Sequence, residues 1–457
     1  AAVESLPGEF TGALADFARA RPHPTIHGSD ANVARFVARP GRQRLEKFAW
    51  VGTRYLQIAI RGATPATVVH AIGSREEYQD WSETGTLETD DHFWNWLWRT
   101  GVATIRACAI DTWIDCPTRE QRQWLGDVAV EFPAAWAAFG DACAPLNRQF
   151  LEQAAESQRP DGLLQMFAPG DHGVNAVLIP DWTLQWIGVL HDHFMRTGDT
   201  AVLLLLPTAR RALDWFERHA DTNGLLRDLP FWTFFDWAGV GREHQATAPN
   251  ALYAGALAQY ADLSDHAGNG GDADRARSRS RDLGMALNRT AFDAERGVYV
   301  DMVLPGGEQL PRVSQHSNSL MIRHGLAPVE KWSAMLAYIS DPKRLRATAA
   351  PRVVPEGETL EPATDCVKAS TFFSHFVADA FLKAGRADLA FRQLRELFEP
   401  MRALGATTLW EAHRPSASLC HGFSATGLHQ MTAGAFGLEA AEPGYQQLRI
   451  RPQPLIG

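Results

Sequence analysis

"RTGDTA", Arg196 to Ala201, is the stretch on which the fold turns. Helical apolar patterns lie on both sides of it, at 182–198 and 199–220. Gly198 can take the left-handed conformation that ends a helix, and Asp199 can cap the next one. A link this short makes the two helices antiparallel neighbours. The device recurs in "GNGGDADRA", Gly268 to Ala276, and in "KAGRADLA", Lys383 to Ala390. Further helical patterns run at 91–111, 119–141, 144–159, 248–267, 273–292, 318–326, 330–340, 369–385, 387–405 and 423–438. Twelve helices joined in pairs predict six hairpins closed into a ring, a mainly α (α/α)6 barrel. An irregular bundle or an open solenoid is the alternative, and no fixed-period repeat supports the solenoid.

Strands are expected only at the two ends. "KFAWVGTRYLQIAIRG" (47–62) and "TPATVVHAIG" (64–73) are β-branched, aromatic and bounded by Gly and Pro. "GYQQLRIRPQP" (444–454) alternates in the same way. The expected division is a partial β-rich segment at 1–90, the barrel at 91–438 and the start of a β module at 439–457.

Composition narrows the partners. A net charge of −9 disfavours nucleic acid and anionic membranes. No apolar run is long enough to span a bilayer. Five cysteines, odd in number and without metal-type pairing, read as mostly buried free thiols. No EF-hand-like loop is present, and no cofactor or metal is expected. The chain opens with neither a signal peptide nor Met, so a processed or trimmed start is open. The compartment is not legible, with a periplasmic or extracellular place favoured over the cytoplasm. The 15 Trp are unusual and suit a site for a ligand with apolar faces, such as a sugar.

Charge concentrates in "DCPTREQRQWLGD", Asp115 to Asp127. Pro117 keeps Cys116 out of a helix, so Asp115 belongs to a loop and the helix should begin near Arg119. Glu120, Trp124 and Asp127 then fall at i, i+4 and i+7, on one face. An indole's apolar surface beside a carboxyl favours the neutral acid, as a proton donor requires. The plainer reading is a helix-start cluster in which Arg119 and Arg122 pair the acids. "ALGATTLWEAHRP" (403–415) places Trp410 and Glu411 in a loop, and "SLCHGFSATG" (418–427) places His421 before the last helix. His421 alone is as well read as a structural histidine. "IPDWTLQW" (179–186) and "FWTFFDWAG" (231–239) supply Asp181, Trp182, Asp236 and Trp237, either as site residues or as core aromatics beside capping acids.

Taken in order, "DCPTREQRQWLGD", "IPDW", "FFDWAG", "SQHSNSL", "GATTLWE", "CHGFSATG" and "EPGYQQLRIRPQP" resemble the family 78 α-L-rhamnosidases over roughly residues 45–457. The resemblance implies an (α/α)6 barrel flanked by β-sandwich modules and inverting hydrolysis of terminal α-L-rhamnosides. It implies Glu120 as general acid and Glu411 as general base. It places Asp115, Arg119, Trp124, Asp127, Trp182, Trp237 and His421 around the sugar. The implied partner is a rhamnose-containing glycoside, oligosaccharide or polysaccharide. Two departures stand out: Gln121 follows Glu120 where a second acid is frequent, and "EAHRP" replaces the more usual Trp-Glu-Arg-Trp. The rival classes are another six-hairpin glycosidase or a sugar lyase, and a non-catalytic carbohydrate-binding protein.

Overall fold

The computed structural model describes residues 2–4, 34–46, 51–52, 56, 58–170, 178–348, 360–413 and 417–453. Eleven α-helices of nine residues or more run in order among them. They are α1 (His92–Cys108), α2 (Leu125–Phe139), α3 (Ala144–Glu156), α4 (Pro180–Thr197), α5 (Leu206–Glu217) and α6 (Thr247–His266), then α7 (Gly270–Thr290), α8 (Gln315–Arg323), α9 (Val329–Ile339), α10 (Ser374–Lys383) and α11 (Ala387–Ala403). The twelfth, α12, is composite: a 3-10 turn Gly422–Ala425, α-helix Thr426–His429 and π-helical turn Gln430–Ala435.

Helix contacts define the architecture. The even-numbered helices pack in sequence, α2 on α4, α4 on α6, α6 on α8, α8 on α10 and α10 on α12. Then α12 packs back on α2 and closes the ring. The odd-numbered helices lie outside, each against its hairpin partners. Inner helices are covered on all faces, and every residue from Thr247 to Leu257 of α6 is buried. Outer helices are two-faced: α7 buries Ala273, Ala276, Leu283 and Leu287 and turns its arginines and aspartates outward.

The turn chemistry is as the sequence implies. Gly198 ends α4 in the left-handed region (φ 70°), and Asp199 accepts from the Ala201 amide at 3.0 Å to start the next turn. Asp91 caps α1 through the Phe93 amide at 2.8 Å.

Three expectations are corrected. The helix expected from 119 begins at Leu125. Gln121 has φ 56°, and the Arg122 amide is taken by the Asp115 carboxylate, so the intervening residues form a loop instead of a first turn. Strands are not confined to the ends. Two-residue ladders join Gln245–Ala246, Met302–Val303 and Gln309–Leu310. Others join Phe292–Asp293 to Val298–Tyr299, and Val313–Ser314, Leu345–Arg346 and Cys366–Val367. They satisfy the backbone of the long links around α6, α8 and α10, and none forms a central sheet. Residues 64–73 form no strand and leave Val68, Val69 and Ile72 exposed. Within 47–62, positions 47–50, 53–55 and 57 lie outside the described residues.

At the N-terminal end, Arg35–Val37 and Ala59–Arg61 each pair antiparallel with Ala2–Glu4. At the C-terminal end Leu438–Ala440 pairs with Leu448–Ile450, and Tyr445 between them stacks on Trp136 of α2. No helix among the described residues is long and apolar enough to cross a membrane. All five cysteines are free and buried.

Inner helices approach closely where glycine allows it. A Cβ on Gly126 of α2 would lie 2.4 Å from Nε1 of Trp182 on α4. Gly126→Ala therefore forces the wall apart and should cost about 1–3 kcal/mol. Urea unfolding of the variant checks it; unchanged stability would mean that the α2–α4 contact is slack.

Candidate active site

The loops that enter the inner helices gather at one mouth of the ring. Residues 109–124 lead into α2 and residues 404–421 into α12. Their ends are tied by a hydrogen bond from the Gly422 amide to the Asp115 carbonyl at 2.8 Å. Asp115 organises the first loop twice: its amide donates to the Arg122 carbonyl at 3.0 Å, and its Oδ1 accepts from the Arg122 amide at 2.8 Å. In the second loop the Glu411 amide donates to the Ser418 carbonyl at 2.9 Å, and Ser418 returns its amide to Glu411 Oε2 at 3.1 Å. The Thr371 hydroxyl donates to the Glu411 carbonyl. Arg414 and Pro415 of "EAHRP" lie outside the described residues.

Arg119 stands between the two glutamates. Its Nε lies 2.8 Å from Glu120 Oε1 and a terminal nitrogen lies 3.0 Å from Glu411 Oε2. One guanidinium thus spans the pair, which bounds their nearest oxygens to within about 8 Å, compatible with the roughly 6.5–9.5 Å of inverting glycosidases. The two differ in exposure: the Glu120 side chain is 32% exposed and that of Glu411 5%. Glu120 does not share a helix face with Trp124 and Asp127, as the sequence suggested, because it precedes the helix. Nor does the indole show it an apolar face. Trp124 Nε1 donates to Glu120 Oε2 at 3.0 Å, so the expected desolvating contact is a hydrogen bond.

Deeper in, His421 Nε2 lies 3.2 Å from Asp127 Oδ1, and its Nδ1 lies 3.8 Å from Glu411 Oε2. Burial would neutralise this imidazole, but Glu411 and Asp127 outweigh it and hold His421 well above the usual histidine range. Burial also pushes against Glu411, yet the charges of His421 and Arg119 draw it below the usual carboxylate range. Asp127 is raised by burial despite His421, and Asp115 is raised well above its ordinary value, chiefly by burial. Two buried polar atoms of this cluster, Asp115 Oδ2 and His421 Nδ1, lack a hydrogen-bond partner. Left unpaired they cost free energy, so they suit hydroxyl groups of a ligand.

An unbroken chain of ring contacts walls the site. Trp124 meets Trp182 at 5.3 Å and Trp182 meets Phe234 at 5.3 Å. Phe234 meets Phe372 at 6.0 Å, Phe372 meets Phe423 at 5.2 Å, and Phe423 meets His421 at 4.0 Å. Trp237 joins it through Phe234 at 4.9 Å and stands at the exposed rim. Asp181 and Asp236 act as scaffold. Asp181 accepts from the Phe234 and Phe235 amides at 2.8 and 2.9 Å. Asp236 is bonded to His316 at 2.7 Å and to the Ser370 amide at 2.7 Å, joining the loop ahead of α6, the first turn of α8 and the loop ahead of α10.

The sequence reading thus brought Asp115, Arg119, Glu120, Trp124, Asp127, Glu411 and His421 into one cluster, with Trp182 beside it and Trp237 further out. It missed Phe234, Phe372 and Phe423, which no charge or spacing distinguishes from core. It also missed Cys116, whose thiol is drawn down to about 7 by His421 against the effect of burial. Glu131, one turn beyond Asp127, was missed as well. Neither of its oxygens has a partner, and burial holds it well above its ordinary value.

Residues 82–432 match the family described as the bacterial alpha-L-rhamnosidase six-hairpin glycosidase domain. The chain belongs to that family. The rhamnosidase-family barrel is similar to solved structures of rhamnosidases. A GH78 family rhamnosidase of Bacillus sp. GL1 is 26% identical with a TM-score of 0.72, over 82% of this chain and 38% of that one. A rhamnosidase from Klebsiella oxytoca with rhamnose bound is 22% identical with a TM-score of 0.63, over 77% of this chain and 65% of that one. Streptomyces avermitilis alpha-L-rhamnosidase complexed with L-rhamnose is 21% identical with a TM-score of 0.64, over 82% and 34%. The last two likenesses are of fold. The chain spans less than two thirds of the length of each. Comparison with curated proteins gives no match.

The raised His421 has a consequence for stability. A group whose folded pKa lies above its unfolded value stabilises fully below the unfolded value, here 6.5, and loses that contribution as pH rises through the folded one. The stability gap between wild type and His421→Gln should be flat below about pH 6.5 and shrink above it. Denaturant unfolding across that range measures it; a gap that widens with pH would show that His421 is neutral when folded.

Proposed function

We propose that this chain hydrolyses terminal α-L-rhamnosides with inversion, Glu120 giving a proton to the leaving oxygen and Glu411 activating water. The observation that carries the reading is the unequal pair on either side of Arg119. Glu411 is buried beside two cations that favour its ionised form, the state a base needs. Glu120 lies at the open edge, where an aglycone would project from a sugar held at the bottom. Hydrolysis needs these two groups on opposite faces of the ring, with room for water at one of them.

Asp115, Asp127 and His421 would take the sugar hydroxyls, and Trp124 and Trp182 the apolar face and methyl of a 6-deoxy sugar. Trp237 would meet what lies beyond the sugar. Arg119 crosses the gap that the anomeric carbon would enter, so substrate binding would shift it from the carboxylates toward the sugar. The division into a β-rich segment at 1–90, the barrel at 91–438 and a β module from 439 belongs to the same proposal. A lyase acting on a uronate would want cationic partners for the substrate. Here acids outnumber cations around the pair. A non-catalytic sugar binder would have no use for a buried base held ionised.

Hydrolysis of an aryl α-L-rhamnoside, with NMR of the first anomer released, tests the reading. The β-anomer is expected. Release of the α-anomer, or cleavage only of other sugars, would overturn it.

Glu411→Gln should lower kcat by about 10²–10⁴-fold while the sugar still binds, because Gln keeps the shape and cannot take a proton. A variant near wild-type activity would place the base elsewhere.

Glu120→Gln should lose most activity on alkyl rhamnosides and much less on aryl rhamnosides with acidic leaving groups. Proton donation matters in proportion to the basicity of the departing oxygen. Equal loss on both substrates would remove Glu120 as the donor.

A further inference from the structure

The ring has a second mouth, at the opposite ends of the inner helices. A cavity of about 210 Å³ opens there, lined by residues from all six inner helices. At its floor three side chains converge. His375 and Asp379 stand one turn apart on α10, and so share a face. His429 comes from α12, immediately before its π-helical turn, a deviation frequent at functional sites. One ligand atom from each lies within 4.8 Å of the others. His375 Nε2 lies 3.7 Å from Asp379 Oδ2, and His429 Nε2 lies 3.7 Å from Asp379 Oδ1. Both spans are too long for hydrogen bonds. They are close to the roughly 3.4 Å between two ligand atoms that share a tetrahedral zinc ion at 2.0–2.1 Å each.

We propose that His375, Asp379 and His429 bind one divalent transition-metal ion of the zinc class, its fourth position open to the cavity. Imidazole and carboxylate donors suit that class. The surroundings match what a ligand set needs. The Thr426 hydroxyl lies 2.9 Å from His375 Nδ1, which turns Nε2 to the centre. Arg323 Nε at 3.0 Å and Gln430 Nε2 at 2.8 Å fix the two oxygens of Asp379. His429 Nδ1 is buried without a protein partner, so His429 lacks the orienting contact that His375 has. Of the nearby arginines, Arg196 is paired with Asp192 at 2.8 Å, while Arg323 shares the Asp379 carboxylate with the proposed ion. An ion here would pin α12 to α10, the joint next to the ring closure.

A second cluster with ligand spacing, Asp115, Cys116 and His421, lies in the active site, so the test must separate the two. The full chain is stripped with chelator, and Zn²⁺ or Co²⁺ binding is followed by equilibrium dialysis and absorption. One ion per chain is expected, with no thiolate charge-transfer band for Co²⁺, and Cys116→Ser should bind as wild type does. His429→Ala and His375→Ala should each bind at least about 100-fold more weakly, and Thr426→Val about 10–100-fold more weakly, the range of an outer-shell partner. Zn²⁺ should raise the Tm of wild type and not of His429→Ala, whose folding is checked by circular dichroism. No binding by wild type, unchanged binding in His429→Ala, or binding lost in Cys116→Ser would overturn the proposal. None of these outcomes bears on whether the chain cleaves rhamnosides.

Discussion

The hydrogen bond from Gly422 to Asp115 joins the loop entering the first inner helix to the loop entering the last, 2.8 Å apart in space and some three hundred residues apart in sequence. Everything at the active mouth depends on that closure. Glu120 and Glu411 come from those two loops, and neither segment holds the other's position by itself. The packing of α12 on α2 supports the bond from below. At 422 a Cβ would stand 1.6 Å from a Glu131 oxygen, so any larger residue must displace that buried carboxyl. A ring closed by its last inner helix on its first thus gathers two carboxylates that local structure could never bring together.

The ring also imposes a polarity. Helices joined as hairpins alternate in direction, so all six inner helices point the same way. Their N-termini face one mouth and their C-termini the other. Backbone dipoles favour anions at the first and cations at the second. Asp115, Glu120, Asp127 and Glu411 crowd the N-terminal mouth. The cavity on the other side holds Arg196 and Arg323, each paired with an aspartate.

How much of this was legible in sequence depends on the range of the interaction that decides it. The hairpin turns were legible because Gly198 and Asp199 act within a few residues, and the twelve helices followed. The start of α2 was not. A helix from Arg119 satisfies every local rule, and it is overridden by Asp115 capturing the Arg122 amide and by the left-handed Gln121. The charged motif named residues that the fold gathers in one cluster, while the face argument built on it was wrong. Phe372 and Phe423 read as core because they are core, and only their place between Phe234 and His421 makes them a wall. The two-residue ladders around α6 and α8 are too short to leave a period-2 pattern.

What distinguishes the site from a plain acidic cluster is that its carboxyls are sorted by environment. Asp115, Asp127 and Glu131 are buried, and burial drives each upward from its ordinary value. Glu411 is almost as buried, but it faces both His421 and Arg119 and goes the other way. Two cations thus draw one carboxylate down among buried acids that burial drives up. Separating carboxyl groups by environment is how a pair of chemically identical residues acquires different tasks. Here Asp127 has the imidazole alone, at 3.2 Å, whereas Glu411 has both the imidazole and the Arg119 guanidinium.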